Sequence, residues 1–325
     1  MKLIIQIPCF NEEEALPLTL AELPRTVPGV DEVEWLVVDD GSSDGTADIA
    51  RKSGVDHVVV LPTHVGLARA FVHGLEASVK AGADIIVNTD ADNQYRADDI
   101  PRLIQPILSG AAEVVIGERP IMDTPHFSRL KKVLQRVGSW VVRVASRTDV
   151  PDAPSGFRAM TREAAMRLHV FNSYSYVLET VIQAGHKGIS VTSVPIRTNE
   201  DLRPSRLFKS TLRYVGRQGL TILRIFMTYR PFAFFAVPGV VVFLAGFLLG
   251  ARFMAFYFQG QGGGHVQSLI LAALLLGTGF FLGVVGLLAD LTSVNRKLLE
   301  GVDWRLRKLE ERNREPQAAP RSRDD

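Results

Sequence analysis

The sequence predicts an α/β domain on a mostly parallel, doubly wound sheet, followed by interfacial helices and a two-helix membrane hairpin. Three observations predict it. Short apolar runs alternate with helix-like stretches over the first third of the chain, the pattern of parallel strands covered on both faces. Acidic residues cluster straight after those runs, at the strand ends where such sheets bind ligands. Two uncharged stretches, Phe232–Ala251 and Val266–Ala289, are long enough to cross a ~30 Å bilayer core as helices.

Taken in order, Leu3–Ile7 is an apolar run that ends at Pro8 and reads as a buried strand. Asn11 is placed to cap the next helix, with Glu12, Glu13 and Glu14 in its first turn, where the helix dipole favours acids. Val33–Val38 is a second strand, broken by Asp39-Asp40-Gly41-Ser42-Ser43-Asp44-Gly45-Thr46. A helix through Ala50, a strand at His57–Leu61, a helix at Ala68–Ala81 and a strand at Ile85–Thr89 follow. Trp140 and Phe171 read as core residues. Much further on, Leu207–Tyr229 interleaves apolar residues with Lys209, Arg213, Arg217 and Arg224. Such a segment either lies in the headgroup plane of an anionic leaflet or packs on the domain.

The membrane spans are expected at about 232–254 and 266–289, joined by the glycine-rich turn Gln259–His265, with Arg252 snorkelling near the outer end of the first. Core helices of soluble proteins interleave polar residues, and these stretches do not. Basic residues flank the pair on one side: Arg203 to Arg230 before it, and Arg296, Lys297, Arg305, Arg307 and Lys308 after it. The positive-inside rule then places both flanks in the cytosol, giving a multi-pass membrane protein whose large N-terminal domain is cytoplasmic. No secretory leader is expected at Met1–Ile5, where the apolar stretch is short and soon reaches Pro8. The expected division is a domain at 1–202, a basic loop and amphipathic helices at 203–230, the hairpin at 231–290 and a basic tail at 291–325 with a disordered end.

Composition narrows the function. The 325 residues carry a net charge of +2, against the strong basic excess of a nucleic-acid binder. A single cysteine, Cys9, excludes a disulfide framework and a multi-cysteine zinc site. A mean hydropathy of +0.12 with 22% charged residues means that the apolar residues are concentrated in one region.

The Asp39–Thr46 loop has no lysine and is no Walker A loop, and G-x-G-x-x-G is missing. Its acids suit hydrogen bonds from a base or ribose, or simply the capping of a turn. Asp90-Ala91-Asp92 is sharper, because two carboxylates after a buried strand repel one another unless a cation lies between them. Mg²⁺ or Mn²⁺ takes such oxygen ligands and shares them with substrate phosphates, and Gln94 adds a neutral oxygen. Ser155-Gly156 lacks the context of a nucleophile elbow. His57, His64, His73 and His126 lack metal-ligand spacing and read as loop or surface residues. Glu179 reads either as a general base or as a helix-face acid within Tyr176–Gln183.

In order along the chain, Ile7-Pro8-Cys9-Phe10-Asn11-Glu12, Val38–Thr46, Asp90-Ala91-Asp92-Asn93-Gln94, Gly117-Glu118-Arg119, Asp152–Arg158 and Arg203-Pro204-Ser205-Arg206 resemble glycosyltransferase family 2. The resemblance covers about residues 1–230 and is to its polyprenyl-phosphate glycosyltransferases, of the dolichol-phosphate mannose synthase and bacterial undecaprenyl-phosphate glucosyltransferase kinds. It implies a GT-A fold and inverting, metal-dependent transfer of one sugar from a UDP- or GDP-sugar to a polyprenyl phosphate, with Mg²⁺ or Mn²⁺ as cofactor. By the same resemblance Pro8, Phe10, Glu12, Val38 and Asp40 hold the nucleoside, Asp90 and Ala91 the donor, and Asp90, Asp92 and Gln94 the metal and diphosphate. Arg119 and a cation among Arg129, Lys131 and Lys132, with Lys131 in front, receive the lipid phosphate. Arg203 and Arg206 stand in a mobile basic loop that closes over the donor, with Lys209 a second candidate.

Phe10 stands where the family commonly has tyrosine, and the Gln-x-x-Arg-Trp of processive synthases is missing. UDP-glucose is favoured by the likeness to two-span bacterial members, with GDP-mannose next. Alternatives are a same-fold transferase acting on a hydroxyl of a lipid-linked glycan, or a dead transferase retained as a membrane scaffold. The bilayer is an expected partner, a homo-oligomer is possible in the hairpin, where Gly277, Gly279, Gly283 and Gly286 allow close helix packing, and nucleic acid is not expected.

Overall fold

The structure is a computed structural model and describes residues 1–120, 143, 146, 148–168, 170, 176–199, 223, 227 and 229–314. Lys131, Arg203 and Arg206 lie outside the described residues, as do Arg129, Lys132, His126, Trp140, Phe171, Lys209, nearly all of the 207–229 segment and the tail beyond 314. The chain forms two compact units, Met1–Gln218 and Gly219–Asp325.

In the first unit the apolar runs become strands β1 (Lys2–Cys9), β2 (Glu32–Asp39), β3 (His57–Val60) and β4 (Ile85–Asn88), with helices α1 (Leu16–Glu22), α2 (Thr46–Lys52) and α3 (Leu67–Lys80) between them. Next come α4 (Ile100–Leu108), β5 (Val114–Glu118), β6 (Arg158–Thr161), α5 (Arg162–Arg167), α6 (Val177–His186) and β7 (Val191–Pro195). The seven strands lie in the order β3-β2-β1-β4-β6-β5-β7. All neighbours are parallel except β6, which runs antiparallel to both β4 and β5. The sheet is therefore mixed, with the parallel majority expected of a GT-A fold. It also brings the last residues of β1, β2, β3, β4 and β5 and the first of β6 to one edge.

One face packs Leu3, Ile5, Ile7, Val37 and Val87 against Leu16, Leu20, Ile100, Leu103 and Ile104. On the other, Phe71 and Leu75 of α3 are buried along with Ile4, Leu36, Val38 and Ile86. Two polar side chains interrupt the strands: Gln6 Nε2 donates to Asn88 Oδ1 at 2.9 Å, and both residues are fully buried. Gly74 of α3 lies over this pair, where an added Cβ would meet Gln6 Oε1 at 2.7 Å and Val38 Cγ2 at 3.2 Å. Gly74→Ala gains about 1 kcal/mol of helix propensity but overpacks a core at a cost of roughly 1–3 kcal/mol. Because the Gln6 amide is tied to Asn88, the cost is expected to prevail, and a thermal melt should show a lower midpoint.

The expected cap at Asn11 is not formed. The first helix starts at Leu16, with Pro17 in its first turn and no acid there. Asn11 instead adopts a left-handed conformation, φ 54°, and its Oδ1 accepts from Ser43 N at 2.9 Å. The acids serve the neighbouring helix: Glu13 Oε2 accepts from Gly45 N, the residue just before α2, at 2.8 Å.

In the second unit, α7 (Pro231–Phe258) and α8 (Val266–Arg314) are long and apolar enough to cross a membrane. Val241, Phe247, Leu248, Leu274, Phe280 and Phe281 are more than half exposed, the reverse of a soluble core. The two helices touch through glycines. A Cβ on Gly279 would meet Phe243 N at 2.6 Å, and one on Gly246 would meet Leu275 Cβ at 2.8 Å. Of the four glycines read as packing positions, Gly279 and Gly286 would each bring an added Cβ against α7, whereas a Cβ on Gly277 or Gly283 would meet nothing within 4 Å. The second helix runs on past the expected span, through the basic stretch to Arg314.

Candidate active site

The site assembles at the carboxyl edge of the sheet. Thr89 follows β4 and leads into the turn Asp90–Gln94. Asn93 is left-handed there, φ 56°, which asparagine tolerates better than most residues. Among the described residues, Asn11 and Asn93 are the non-glycine positions with positive φ, and each sits in a loop that the motifs mark. The turn is pinned from two sides. Thr19 Oγ1 of α1 donates to Ala91 O at 2.8 Å, and Asn93 Nδ2 donates to Glu22 Oε1 at 3.0 Å. Asn199, beyond β7, donates its side chain to Asn93 O at 3.0 Å and its backbone N–H to Gln94 O at 2.9 Å.

Asp90 and Asp92 are both half-buried, and Gln94 N donates to Asp92 Oδ1 at 3.2 Å. Burial, reinforced by the charge of Asp92, pushes the Asp90 carboxyl up to about 7, against the pull of Arg119 and Arg158. Such a pair suits a hard divalent cation, which would relieve both burdens. Among the described residues no group of three or more His, Cys, Asp or Glu side chains forms a metal cluster. Mg²⁺ and Mn²⁺ commonly take one or two carboxylates from the protein and fill their remaining positions with water and substrate phosphate oxygens.

The Asp90 carboxylate rests against Gly156, where a Cβ would meet Oδ2 at 2.8 Å and Oδ1 at 3.0 Å. Gly156 N donates to the Tyr95 hydroxyl at 3.0 Å, and that hydroxyl also hydrogen-bonds Asp90. Burial pushes the Tyr95 phenol up to about 12, so it is neutral at physiological pH. Below, Asn88 Nδ2 donates to Gly156 O at 3.0 Å and to the Tyr176 hydroxyl at 2.9 Å. A buried chain of hydrogen bonds thus runs from Gln6 through Asn88 and Gly156 to Tyr95 and Asp90.

Arg119 follows β5 and forks onto Asp152, Nε to Oδ2 at 2.8 Å and Nη2 to Oδ1 at 3.0 Å. Burial pulls the guanidinium pKa down, but the Asp152 hydrogen bonds and charge more than offset it and hold the pKa above the usual arginine value. Arg158, at the start of β6, is fully buried. It donates to Ser155 O and Thr180 Oγ1 and lies over the Tyr176 ring, 5.2 Å from its centroid. Burial lowers its pKa below the ordinary arginine value. Ser155 is fully buried as well.

At the ends of β1 to β3, Phe10 is exposed, Pro8 and Val38 are buried, and Glu12 is half-buried, with its backbone N–H donating to Thr46 Oγ1 at 2.9 Å. Asp40 is buried, its carboxylate accepting from Val65 N at 2.8 Å and Gly66 N at 2.9 Å. Glu179 is a buried residue of α6. The fold therefore gathers Asp90, Ala91, Asp92, Gln94 and Arg119 on one side of the edge, and Phe10, Glu12 and Asp40 on the other.

Sequence reasoning missed Asn88, Tyr95 and Tyr176, and it left Asp152 and Arg158 inside a quoted motif without roles. A polar residue in an apolar strand, such as Asn88, is a readable signal. His64, set aside as a surface residue, pairs with Asp40 at 2.8 Å and stacks on Phe10.

Comparison with known proteins bears on the family and the fold. The chain is 31% identical over 206 residues to the undecaprenyl-phosphate mannosyltransferase of Micrococcus luteus, covering 60% of this chain and 83% of that one. It is 28% identical over 222 residues to the polyprenol monophosphomannose synthase of Mycolicibacterium smegmatis, covering 65% and 82%. Among solved structures, glucosyl-3-phosphoglycerate synthase from Mycobacterium tuberculosis, in complex with Mn²⁺, UDP-glucose and glycerol 3-phosphate, matches with a TM-score of 0.55 at 20% identity, over 70% of this chain and 79% of that one. The same enzyme with Mg²⁺ and UDP matches with a TM-score of 0.53. Those neighbours share the GT-A fold. Residues 4–168, just over half of the 325, match the model described as glycosyl transferase family 2, and the chain belongs to that family as a glycosyltransferase.

Proposed function

We propose that the protein transfers one sugar, with inversion, from a nucleotide diphosphate donor to polyprenyl phosphate at the cytoplasmic face of the plasma membrane. The observation that carries this reading is the meeting of Asp90, Asp92 and the Asp152-braced Arg119 at one sheet edge, in a chain with two long outward-apolar helices. A phosphate monoester is ionised near neutral pH, its second pKa being about 6, so the attacking oxygen needs no general base. The chemistry then reduces to positioning and charge stabilisation. Asp90, Asp92 and Gln94 would hold Mg²⁺ or Mn²⁺, which when bound neutralises charge on the leaving diphosphate. Arg119, fixed in direction by Asp152, presents positive charge beside them for a phosphate.

Lys131 is assigned to the acceptor phosphate, and Arg203 and Arg206 to closure over the donor. Chain length supports the latter pair. Asn199 is bonded to the Asn93–Gln94 turn, and Arg203 and Arg206 follow it by only four and seven residues in sequence. The relatives named above carry mannose and a polyprenyl or undecaprenyl lipid in their names, which moves the proposed sugar toward mannose and away from the glucose favoured by sequence likeness. The test is to incubate purified enzyme in vesicles with polyprenyl phosphate, Mg²⁺ or Mn²⁺, and labelled GDP-mannose or UDP-glucose. A mild-acid-labile lipid product supports the reading, and its absence with every nucleotide sugar sinks it.

A second reading, transfer to a hydroxyl, rests on Glu179, buried on the helix whose first residues meet Asn88 and Arg158. A hydroxyl acceptor needs a base, worth typically 10²–10⁴-fold. Glu179→Gln is expected to keep turnover within a few-fold, measured with a native membrane lipid extract supplying the acceptor. Loss of 10²-fold or more would favour the hydroxyl acceptor.

A further inference from the structure

We infer that His64 is a nucleoside-binding residue of the donor site, its imidazole forming with Phe10 the platform on which the donor base stacks. This rests on the donor-site reading above and adds a residue to it. Register pairs Cys9 with Asp39 and Asp39 with Val60, so Phe10, Asp40 and Leu61 lie in one row just past the strands. His64 follows three residues later, in the loop that leads through Gly66 into α3. Gly66 has φ +95°, a left-handed turn suited to glycine, and it sends the chain back so that its own N–H and that of Val65 reach Asp40.

Two contacts fix the imidazole. Its Nδ1 lies 2.8 Å from Asp40 Oδ2, and its ring stacks on Phe10 with centroids 3.8 Å apart and planes 26° from parallel. An ordinary surface histidine is free to rotate, whereas this ring is held in a set plane by a buried carboxylate and an aromatic face. Even so, the pair is not core: the His64 side chain is 51% exposed and Phe10 39%. An exposed, orientation-locked aromatic stack at the carboxyl edge of a parallel sheet is what a planar ligand needs, since every nucleobase has a π-face and stacking is tolerant of base identity. The 3.8 Å separation leaves no room for a base between the two rings, so the base lies on the outward face of His64. Asp40 then acts as a positioning residue, through the imidazole.

The test is calorimetric titration of UDP and GDP, in Mn²⁺, into the full-length wild type and His64→Ala, His64→Phe and His64→Asn, with thermal melts as a check on folding. Stacking on an aromatic is worth enough that removing it should weaken nucleotide binding roughly ten- to hundredfold in His64→Ala. His64→Phe should recover most of that loss, because it keeps the face. His64→Asn should not, although it keeps a group able to bond Asp40. The loss should fall on donor KM rather than on kcat. Unchanged or tighter binding in His64→Ala overturns the inference, the tighter case meaning that the base displaces the imidazole to reach Phe10. Recovery by asparagine and not by phenylalanine overturns it too, since His64 would then only hold the loop. If the wild type binds neither nucleotide, the donor-site reading itself falls, a result distinct from equal binding by wild type and variant.

Discussion

Asp92→Asn is expected to lower sugar transfer roughly 10²–10³-fold while leaving the thermal midpoint unchanged or slightly raised. The two effects have opposite signs for one reason. Asp92 sits two residues from Asp90 in a turn held by Thr19, Glu22 and Asn199, and its negative charge destabilises the ionised form of its neighbour. Asparagine has nearly the same shape and can still accept from Gln94 N, so the turn should survive and the repulsion should vanish. What is lost is half of the carboxylate charge offered to a divalent ion, and with it several kcal/mol of stabilisation on the leaving diphosphate. Two measurements separate the roles: the Mn²⁺ dependence of nucleotide binding by calorimetry, and steady-state turnover at saturating Mg²⁺ and Mn²⁺. Near-normal turnover would remove Asp92 from the metal site. A large fall in melting temperature would instead make it a structural residue of the turn.

The division between what sequence carries and what it hides is visible in particular residues. Strands β1, β2 and β4 are mostly buried aliphatics bounded by polar turns, and their ends were legible to within two residues because burial on both faces leaves few polar positions inside, Gln6 and Asn88 among them. β6 was not legible. It is four residues long, it contains the buried Arg158, and its antiparallel direction depends on pairing with β4 and β5, far away in the chain. Asn11 looked like a cap because asparagine before three glutamates has the local chemistry of one. Pro17 held the better signal, since proline prefers the first turn of a helix. In the site, the acids could be read because they follow strands directly. Asn88 offered a signal as a polar residue in an apolar strand, but its role and those of Tyr95 and Tyr176 could not be read, because each acts on a residue that is distant in sequence, Asn88 on Gly156 and Tyr176, and Tyr95 on Gly156. His64 fell between the two cases: its partners Asp40 and Phe10 were both marked, but spacing alone does not bring residues 10 and 64 together.

Gly156→Ala tests whether that buried chain of hydrogen bonds positions Asp90. The added methyl would lie 2.8 Å from Oδ2 and 3.0 Å from Oδ1 of Asp90, closer than real Cβ contacts come. Either the backbone or the carboxylate has to move. The backbone is held on both sides, its N–H by the Tyr95 hydroxyl and its carbonyl by Asn88, which is itself tied to Gln6 and Tyr176. Retreat of the backbone would break buried hydrogen bonds at roughly 1–3 kcal/mol for each group left unsatisfied. Turning one carboxylate about its χ angles costs of order 0.5–1.5 kcal/mol, so the Asp90 side chain is the element that yields. A displacement near 1 Å at a metal- and diphosphate-binding carboxylate is expected to lower kcat/KM about 10²-fold. Stability should fall only modestly, by the roughly 1–3 kcal/mol of an overpacked site. The decisive readout is the concentration of Mn²⁺ or Mg²⁺ required for half-maximal rate. It should rise in Gly156→Ala and stay at the wild-type value in Gly74→Ala, which disturbs Gln6 at the far end of the same chain without crowding Asp90. A wild-type rate and metal requirement in Gly156→Ala would mean that the Asp90 carboxylate has room to turn without loss, and that its contact with Gly156 does not set its working position.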